Sequence, residues 1–348
     1  MSDDPRLQSL SHWLESQGGF DLQRIVPASA DASFRRYFRL GRMDGTTCIG
    51  MDAPPEHEDL ATYLRVSQLL EQCGIHVPHV HAFDTGLGFA VLEDLGSTHL
   101  LTALNSGGDA GQMYADALHT LTRLQLAGER ASLHLPPYDR PTLLREMQLL
   151  PEWYCRRHLQ YEPSVAELAL LAETFEFLTA EALAQPQVFV HRDYHSRNLM
   201  ITAQRSPGVI DFQDALRGPV GYDLASILKD CYVEWPRERI ESWLAQHRER
   251  LLAGGDEGVA LAGQSLQQFL RWFDLIGLQR HLKVLGIFAR LFWRDGKPGY
   301  LADLPRTLGY VRATAQAYPE LAAFSQFVEL RLAPGLEAAN ERALAQHT

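Results

Sequence analysis

The alternation of apolar and polar residues predicts two β-hairpins in the first part of the chain. Residues 36–40 and 46–51 flank a turn that ends in Gly45, and residues 81–83 and 89–92 flank a second turn that contains glycine. Apolar runs on either side of such turns are typical of antiparallel strands. The first part of the chain is therefore expected to contain a small antiparallel sheet.

A helical period replaces the strand pattern elsewhere. Residues 57–73 repeat apolar positions every three to four residues, and Gly74 is a natural stop, so we expect one helix between the two hairpins. A short leading helix is expected over residues 5–17. After the second hairpin the chain becomes mainly helical, with helices expected over residues 109–128, 139–159, 164–184 and most of 221–348. The third of these begins with the capping-box pattern Ser164-Val165-Ala166-Glu167.

Two short strand patterns interrupt the helical part and flank a polar motif. Residues 188–190 form an apolar run, and residues 199–201 and 208–210 have the pattern of a hairpin. The segment between them is His191-Arg192-Asp193-Tyr194-His195-Ser196-Arg197-Asn198, followed by Ile210-Asp211-Phe212. The spacing H-R-D-x-x-x-x-N and the later Asp-Phe are typical of the catalytic loop and metal-binding triplet of kinase-like phosphotransferases.

Each residue of this motif has an expected chemical role. Asp193 is expected to orient the attacking hydroxyl and accept its proton. Asn198 and Asp211 are expected to bind Mg2+, because this hard cation prefers oxygen ligands. His195 and Arg197 are candidates for placing positive charge near the transferring phosphate, although Arg197 equally suits a substrate contact or a surface ion pair.

Composition narrows the classes of partner and compartment. The chain has 348 residues, of which 46% are hydrophobic and 22% charged, as expected for a globular protein. Its net charge of -11 argues against nucleic acid as a partner. We find no apolar run long enough for a membrane span, no signal-peptide pattern, and no indication of a protein partner. The four cysteines form no C-x-x-C pair, so free thiols in a cytoplasmic protein are expected.

The motifs resemble those of the aminoglycoside phosphotransferase superfamily, the small-molecule branch of the kinase fold. The resemblance includes Ile210-Asp211-Phe212, Gly218-Pro219 and Tyr222-Asp223-Leu224-Ala225. Within that superfamily the chain resembles bacterial anomeric kinases of N-acetylmuramate and N-acetylglucosamine. The matching stretches are 191–200, 211–230, Met51-Asp52-Ala53-Pro54-Pro55 and Leu92-Glu93-Asp94-Leu95-Gly96.

The resemblance implies an α+β fold of the bilobal protein-kinase type. It implies a small nucleotide-binding lobe (1–93) with an antiparallel sheet and one helix, and a large, mostly helical catalytic and substrate-binding lobe (94–348). A hinge near residues 93–96 would hold adenine through backbone at Glu93, Asp94 and Leu95. The resemblance also implies ATP and Mg2+ as cofactors, and attack by the C1 hydroxyl of the amino sugar, which gives a sugar 1-phosphate in peptidoglycan recycling.

Two departures from the kinase pattern affect the phosphate-binding residues. Kinases usually place a lysine on the third strand of the small lobe, but residues 1–228 contain no lysine. An arginine, a backbone donor or Mg2+ must supply that charge, and Arg35, Arg36 and Arg39 are the nearest cations in sequence. The expected phosphate loop, residues 29–37, also contains no glycine. Its candidate cofactor contacts are Ser33, Phe34 and Arg35.

The acceptor site is less well specified by the sequence. Asp214 follows the metal triplet and is a candidate sugar ligand, because carboxylates accept hydrogen bonds from hydroxyls. Asp52 and Arg217 are weaker candidates. Residues 271–274 and 279–283 belong either to a wall of the acceptor site or to a solvated cationic face with core aromatics.

Two other functions remain open from the sequence alone. A different small-molecule kinase, of the aminoglycoside or choline type, would carry the same motifs. A nucleotide-binding pseudokinase would explain the missing lysine and glycines, although Asp193, Asn198 and Asp211 favour an active enzyme.

Overall fold

The computed structural model describes residues 4–30 and 34–346, and these group into two compact units. The first unit contains the residues up to Leu124 together with Arg197–Asp214. The second contains Gln125–Ser196 and the residues from Ala215 onwards. The helical segment up to Leu124 thus groups with the sheet, and the hinge near residues 93–96 stays a prediction.

The first unit is built on a five-stranded antiparallel sheet with the strand order β1-β2-β3-β5-β4. The strands are β1 (Phe20–Ala30), β2 (Arg36–Arg42), β3 (Thr47–Asp52), β4 (Val80–Asp84) and β5 (Phe89–Glu93). The two expected hairpins are β2–β3 and β4–β5. Strand β1 was not predicted from the sequence; it is an edge strand that contains Pro27, a residue that sheets tolerate mainly at their edges.

Helices and one short hairpin complete the first unit. They are α1 (Pro5–Gln17), α2 (Leu60–Gln72), α3 (Leu100–Asn105), all but the last turn of α4 (Ala110–Ala127), β7 (Leu199–Met200) and β8 (Gly208–Val209). Helix α2 begins three residues later than expected, because the chain first turns with a His57 N–H to Pro54 C=O bond, and Asp59 then caps the helix. Leu10, Trp13 and Leu14 of α1 pack with apolar residues of the sheet.

The second unit is mostly helical, as expected. Its α-helices are α5 (Glu129–Ser132), α6 (Arg140–Met147), α7 (Val165–Leu183), α8 (Tyr222–Leu228), α9 (Arg237–Leu252), α10 (Gly255–Ala262), α11 (Leu266–Trp293), α12 (Leu304–Ala317), α13 (Ala322–Phe327) and α14 (Leu336–Ala345). Two π-helices (Leu150–Leu159 and Val328–Leu332) and two 3-10 helices (Pro298–Asp303 and Pro319–Leu321) connect them. Strands β6 (Gln187–Val190) and β9 (Leu216–Pro219) pair antiparallel. Helix α11 is buried along most of its length and forms the centre of the core.

The helix expected over residues 139–159 is divided in two. Helix α6 ends at Met147, and a π-helix follows from Leu150. Pro151 has no N–H and therefore cannot make the helical bond to the carbonyl four residues earlier. At this point the backbone of Leu149 approaches Gly286 of α11 so closely that an added Cβ there would lie 2.4 Å from the Leu149 carbonyl carbon.

Other expectations are confirmed. The Ser164 hydroxyl accepts the N–H of Glu167 at 3.3 Å, and Glu167 accepts the N–H of Ser164 at 2.8 Å, which is the expected capping box. A small antiparallel sheet and a large helical part together give the expected α+β class. Among the helices in the described part of the chain, none is both long enough and apolar enough to cross a membrane.

Candidate active site

The motif at 191–198 forms a loop that follows the buried strand β6, and its backbone is fixed by Asp223 in the first turn of α8. The Asp223 carboxylate accepts the N–H of His191 at 2.7 Å and the N–H of Arg192 at 3.0 Å. Arg192 has a φ of 77°, a region that side chains rarely adopt. The two hydrogen bonds hold the loop in this conformation, so Asp223 supports the loop.

Asp193 lies in a positively charged part of the second unit. Burial works to raise the pKa of Asp193, but the charges of Lys283, His195 and Arg280 outweigh it and lower that pKa to about 2. The side chain is therefore ionised near neutral pH, which is the state that a proton acceptor requires. His191 is fully buried behind the loop, and its Nδ1 lies 3.3 Å from the backbone nitrogen of Asp193.

A buried ion cluster supports these cations. Glu146 on α6 forms ion pairs with Arg192 of the loop and with Lys283 of α11, the second at 3.4 Å. Burial works to raise the pKa of Glu146, but the charges of Lys283 and Arg192 lower it overall. The expectation of a solvated cationic face on this helix is wrong for Lys283 and Arg280, because α11 is the central helix of the core and both side chains are buried.

His195 contacts the segment that follows α8. Its ring is buried and lies edge-on to Tyr232, with the ring centroids 5.3 Å apart. The neighbouring Asp230 carboxylate accepts the backbone N–H groups of Ser196 and Tyr232, each at 2.9 Å. Tyr232 is half-buried, so this segment places an aromatic ring beside the catalytic loop.

The other two motif residues, Asn198 and Asp211, lie in the first unit and belong to a cluster around the Asp211 carboxylate. One oxygen of its carboxylate accepts hydrogen bonds from the Arg35 guanidinium and the Gln213 amide, both at 3.1 Å. The other oxygen accepts a bond from the Asn198 amide at 3.3 Å. The hairpin β7–β8 carries Asn198 and Asp211 at its two ends, where the Ile210 N–H bonds to the Asn198 carbonyl. Three residues predicted for nucleotide and metal binding thus share one cluster.

The oxygen atoms of Asn198 and Asp211 are suitable ligands for a magnesium ion. Asn198 and Asp211 place an amide and a carboxylate side by side, and both carry the oxygen ligands that Mg2+ prefers. Mg2+ in phosphotransfer sites is usually held by only one or two carboxylates, with phosphate and water supplying the remaining ligands. Within residues 4–30 and 34–346, no group of three or more His, Cys, Asp or Glu is placed to hold a metal ion.

The remaining cofactor candidates have different surroundings. Ser33 lies outside the described residues. Phe34 is exposed and its ring stacks on His57 at 4.2 Å, while its N–H donates to Glu58 at 3.0 Å. The Arg35 guanidinium is buried and lies 3.8 Å from the Glu58 carboxylate.

At the predicted hinge, the side chains are engaged with neighbours in the first unit. Glu93 accepts the N–H of His79 at 3.2 Å. Asp94 accepts bonds from Arg39 at 2.7 Å and Thr47 at 2.7 Å. Leu95 is buried against Gly208. The side chains thus fix the backbone of the segment, and that backbone is the part expected to contact adenine.

The acceptor candidates are dispersed. Asp52 is completely buried and is bound by Arg6 and Arg36, which gives it a structural role and leaves no surface for a substrate. Asp214 is exposed, follows Gln213, and lines a cavity of about 200 Å³ in the first unit. Arg197 is exposed in the first unit, where its carbonyl lies 2.6 Å from His99 Nδ1.

Arg217 belongs to the second unit, where it is exposed on β9. Its backbone N–H donates to the Pro136 carbonyl at 2.9 Å, and its carbonyl accepts the Tyr138 N–H at 2.7 Å. These backbone bonds hold β9 in place.

Several residues of the site were not among the sequence candidates. Glu58 and Gln213 belong to the Asp211 cluster, and Glu146 and Asp230 support the catalytic loop. Gln213 is adjacent to the metal triplet, which is a usable sequence signal. Asp230 is the last residue of the matching stretch 211–230, although nothing in that stretch assigns it to the loop. Glu58 is one of several acids before α2, and Glu146 is far from the motif in sequence, so no local pattern distinguishes these two.

Comparison with known proteins extends these observations. The model of the phosphotransferase enzyme family matches residues 24–262. The chain is 43% identical over 328 residues to the N-acetylmuramate/N-acetylglucosamine kinase of Neisseria meningitidis, covering 92% of this chain and 95% of that protein. It is 43% identical over 338 residues to the protein of the same name from Pseudomonas aeruginosa, covering 94% and 97%.

A solved structure supports the fold assignment. The ethanolamine kinase of Plasmodium vivax superimposes with a TM-score of 0.58 over 87% of this chain and 85% of that chain. The sequences are only 14% identical, so this likeness concerns the fold alone. The kinase-like fold expected from the sequence is thereby confirmed.

Proposed function

Because the chain belongs to the phosphotransferase enzyme family, we propose that it is an ATP-dependent kinase of N-acetylmuramate and N-acetylglucosamine. The phosphoryl group is transferred to the anomeric C1 hydroxyl, which gives the sugar 1-phosphate. The observation that carries this proposal is the 43% identity, across more than nine-tenths of both chains, to relatives that bear the corresponding name. We place the reaction in cytoplasmic peptidoglycan recycling, as the sequence resemblance implies.

We assign different roles to the residues around Asp193 and to the residues around Asp211. In the second unit, ionised Asp193 orients the C1 hydroxyl and accepts its proton as the oxygen attacks phosphorus. His195 and its aromatic neighbour Tyr232 stand beside the same loop, where they suit contact with the acceptor. Glu146 holds the buried Lys283 ammonium, and the charge of Lys283 helps to keep the Asp193 carboxylate deprotonated.

In the first unit, Asn198 and Asp211 are the residues that would hold Mg2+, which when bound neutralises charge on the phosphates. The Asp94 side chain holds the predicted hinge through Arg39, and this supports the assignment of the hinge backbone to the edge of adenine. Asp214 is our candidate for the sugar hydroxyls on this side. Its exposure and its position directly after Gln213 support that assignment.

Phosphorus NMR of the purified protein with ATP, Mg2+ and each amino sugar tests the proposal. We expect an anomeric phosphate signal with both sugars. Asp193→Asn is the control, and it should lower turnover by roughly 10²- to 10⁴-fold, the usual contribution of general acid–base catalysis. Its affinity for ATP should change little, because Asp193 acts on the acceptor.

Other outcomes would redirect the assignment. Phosphorylation of an aminoglycoside or an amino alcohol, with neither sugar accepted, would contradict the proposed substrate and retain the kinase activity. Binding of ATP without turnover of any acceptor, insensitive to Asp193→Asn, would support a pseudokinase instead.

A further inference from the structure

We propose that Arg35 and Glu58 perform the task that a strand lysine and a helix carboxylate perform in other kinases. Arg35 would bind the phosphates of the nucleotide, and Glu58 would hold Arg35 in position. The inference rests on the proposed kinase function and identifies the group that takes the place of the missing lysine.

The position of the Arg35 guanidinium supports this role. It donates to Asp211 Oδ1 at 3.1 Å, so it lies directly beside the expected metal ligand. Only 6% of the Arg35 side chain is exposed. A cation held in such a buried place interacts more strongly with phosphate oxygens than an exposed one, because solvent screens it less.

Glu58 anchors both the side chain and the backbone of this segment. One of its oxygens lies 3.8 Å from the Arg35 guanidinium, and the other accepts the N–H of Phe34 at 3.0 Å. Glu58 precedes Asp59, the capping residue of α2, and its own N–H donates to the Pro54 carbonyl at 2.9 Å, so its backbone is held just before the helix begins. In protein kinases an ion pair between a strand lysine and a helix glutamate must be in place for catalysis. Arg35 and Glu58 supply the same pair of charges from a loop and from the start of a helix.

The neighbouring arginines form ion pairs with other carboxylates. Arg36 forms ion pairs with Asp4 and with buried Asp52. Arg39 pairs with Asp94 at the predicted hinge. Of the three arginines that the sequence left as candidates, Arg35 is the one that contacts the metal-binding carboxylate.

This arrangement has a chemical consequence for nucleotide binding. Arginine presents several N–H donors in a planar fork, so Arg35 can contact Asp211 and a phosphate oxygen at the same time. The Arg35→Lys variant would keep the charge but replace the planar fork by a single nitrogen, which spans two separated oxygens less well. The pair therefore predicts a contribution to triphosphate binding that depends on arginine and not on charge alone.

Isothermal titration of the full chain with a non-hydrolysable ATP analogue plus Mg2+, and separately with adenosine, tests the proposal. Arg35→Ala should lower triphosphate affinity and kcat/KM for ATP by roughly 10²- to 10³-fold, as for loss of one oriented donor to developing charge. Adenosine affinity should stay within about twofold, since Arg35 is assigned to phosphate and a general loss of structure would weaken both ligands.

Four further variants make the result specific. Arg35→Lys should fall between the wild type and Arg35→Ala. Glu58→Gln should weaken triphosphate binding less than Arg35→Ala, and the double variant should be no worse than Arg35→Ala, because Glu58 acts through Arg35. Arg42→Ala is the matched control: it lies on the adjoining strand, with its guanidinium 5.7 Å from the centre of the Phe20 ring, and should change neither affinity.

The outcomes separate this inference from the proposed function. Unchanged triphosphate affinity in Arg35→Ala would overturn the inference, as would equal loss of triphosphate and adenosine binding in both Arg35→Lys and Glu58→Gln. A wild-type protein that binds the triphosphate but phosphorylates neither sugar would contradict only the proposed substrate, since the titrations do not depend on the acceptor.

Discussion

The backbone N–H of Ser196 donates a hydrogen bond to the buried carboxylate of Asp230 at 2.9 Å. The other oxygen of that carboxylate accepts the N–H of Tyr232 at 2.9 Å. A single side chain therefore joins the catalytic loop to the segment that carries the Tyr232 ring. Since that ring lies against His195, Asp230 fixes the aromatic neighbour of the loop as well as the loop itself.

Asp230→Asn should destabilise the protein and slow turnover. Asparagine has one acceptor oxygen, so its amide N–H2 would face one of the two backbone N–H groups and leave it without an acceptor. An unsatisfied buried group costs about 1–3 kcal/mol. Urea unfolding and steady-state kinetics measure the two effects, and exposed Asp256 on α10 offers the control Asp256→Asn. Equal behaviour of the two variants would show that the Asp230 bonds contribute nothing measurable.

The acid limb of the pH–activity profile should depend on Lys283. The pKa of Asp193 is lowered from 3.8 to about 2, so its ionised form is present above that pH and is lost only as the pH falls through it. Lys283→Met removes one of the charges that oppose burial, so this pKa should rise by roughly one unit or more. The pH at which kcat/KM falls on the acid side should move upward.

A matched control exists for that experiment. Lys297 lies before the 3-10 helix at Pro298–Asp303 and is not among the charges that lower the pKa of Asp193 most. Lys297→Met should therefore leave the acid limb where it is in the wild type. Superimposable profiles for Lys283→Met and the wild type would argue against control of Asp193 by this ammonium.

A buried ion pair in the second unit predicts a large loss of stability when one partner is removed, and a partial recovery when the other partner is removed as well. Asp274 accepts bonds from Lys229 at 2.8 Å and from Arg237 at 2.6 Å, and both Asp274 and Lys229 are buried. Asp274→Ala should cost about 3–5 kcal/mol, because it leaves the Lys229 ammonium buried without its counter-charge. Adding Lys229→Met should restore part of that loss in chemical denaturation. A double variant no more stable than Asp274→Ala would contradict this account.

Two glycines in helices should respond in opposite directions to the same substitution. At Gly286 an added Cβ would meet the carbonyl carbon of Leu149 at 2.4 Å, so Gly286→Ala should destabilise by about 1–3 kcal/mol or more, the usual cost of overpacking. At Gly309, in the exposed interior of α12, an added Cβ meets nothing within 4 Å. Gly309→Ala should stabilise by up to about 1 kcal/mol, since alanine favours helix. Thermal unfolding of the pair measures both, and a stabilised Gly286→Ala would refute the close approach.

Some of the fold was predictable because it depends on local chemistry. The hairpins β2–β3 and β4–β5, the capping box at Ser164 and the stop at Gly74 follow from turn and capping residues next to the element concerned. The division of the helix near Pro151 is local in one respect, since proline lacks an N–H. Its π-helical continuation is stabilised by contact with α11, more than a hundred residues away, and no local pattern records that contact.

The residues of the candidate site also divide into those that a local spacing predicts and those that depend on distant contacts. Asp193, Asn198 and Asp211 are separated by fixed numbers of residues because one loop and one hairpin carry them. Their spacing in the sequence is therefore enough to identify them as candidates. The choice of Arg35 over Arg36 and Arg39 could not be made that way. All three arginines lie within a few residues of each other, and only their different carboxylate partners distinguish them.

The sequence by itself determined the family and the α+β class and supplied the candidate acids of phosphoryl transfer, because these depend on residue type and on short-range spacing. The tertiary structure decided which charges are buried and which partners they have. It placed Lys283 and Glu146 behind the catalytic loop, Glu58 beside Arg35, and Asp52 between two arginines. Coulombic interactions strengthen on burial and act between residues that are distant in sequence, so they become visible only when the chain is folded.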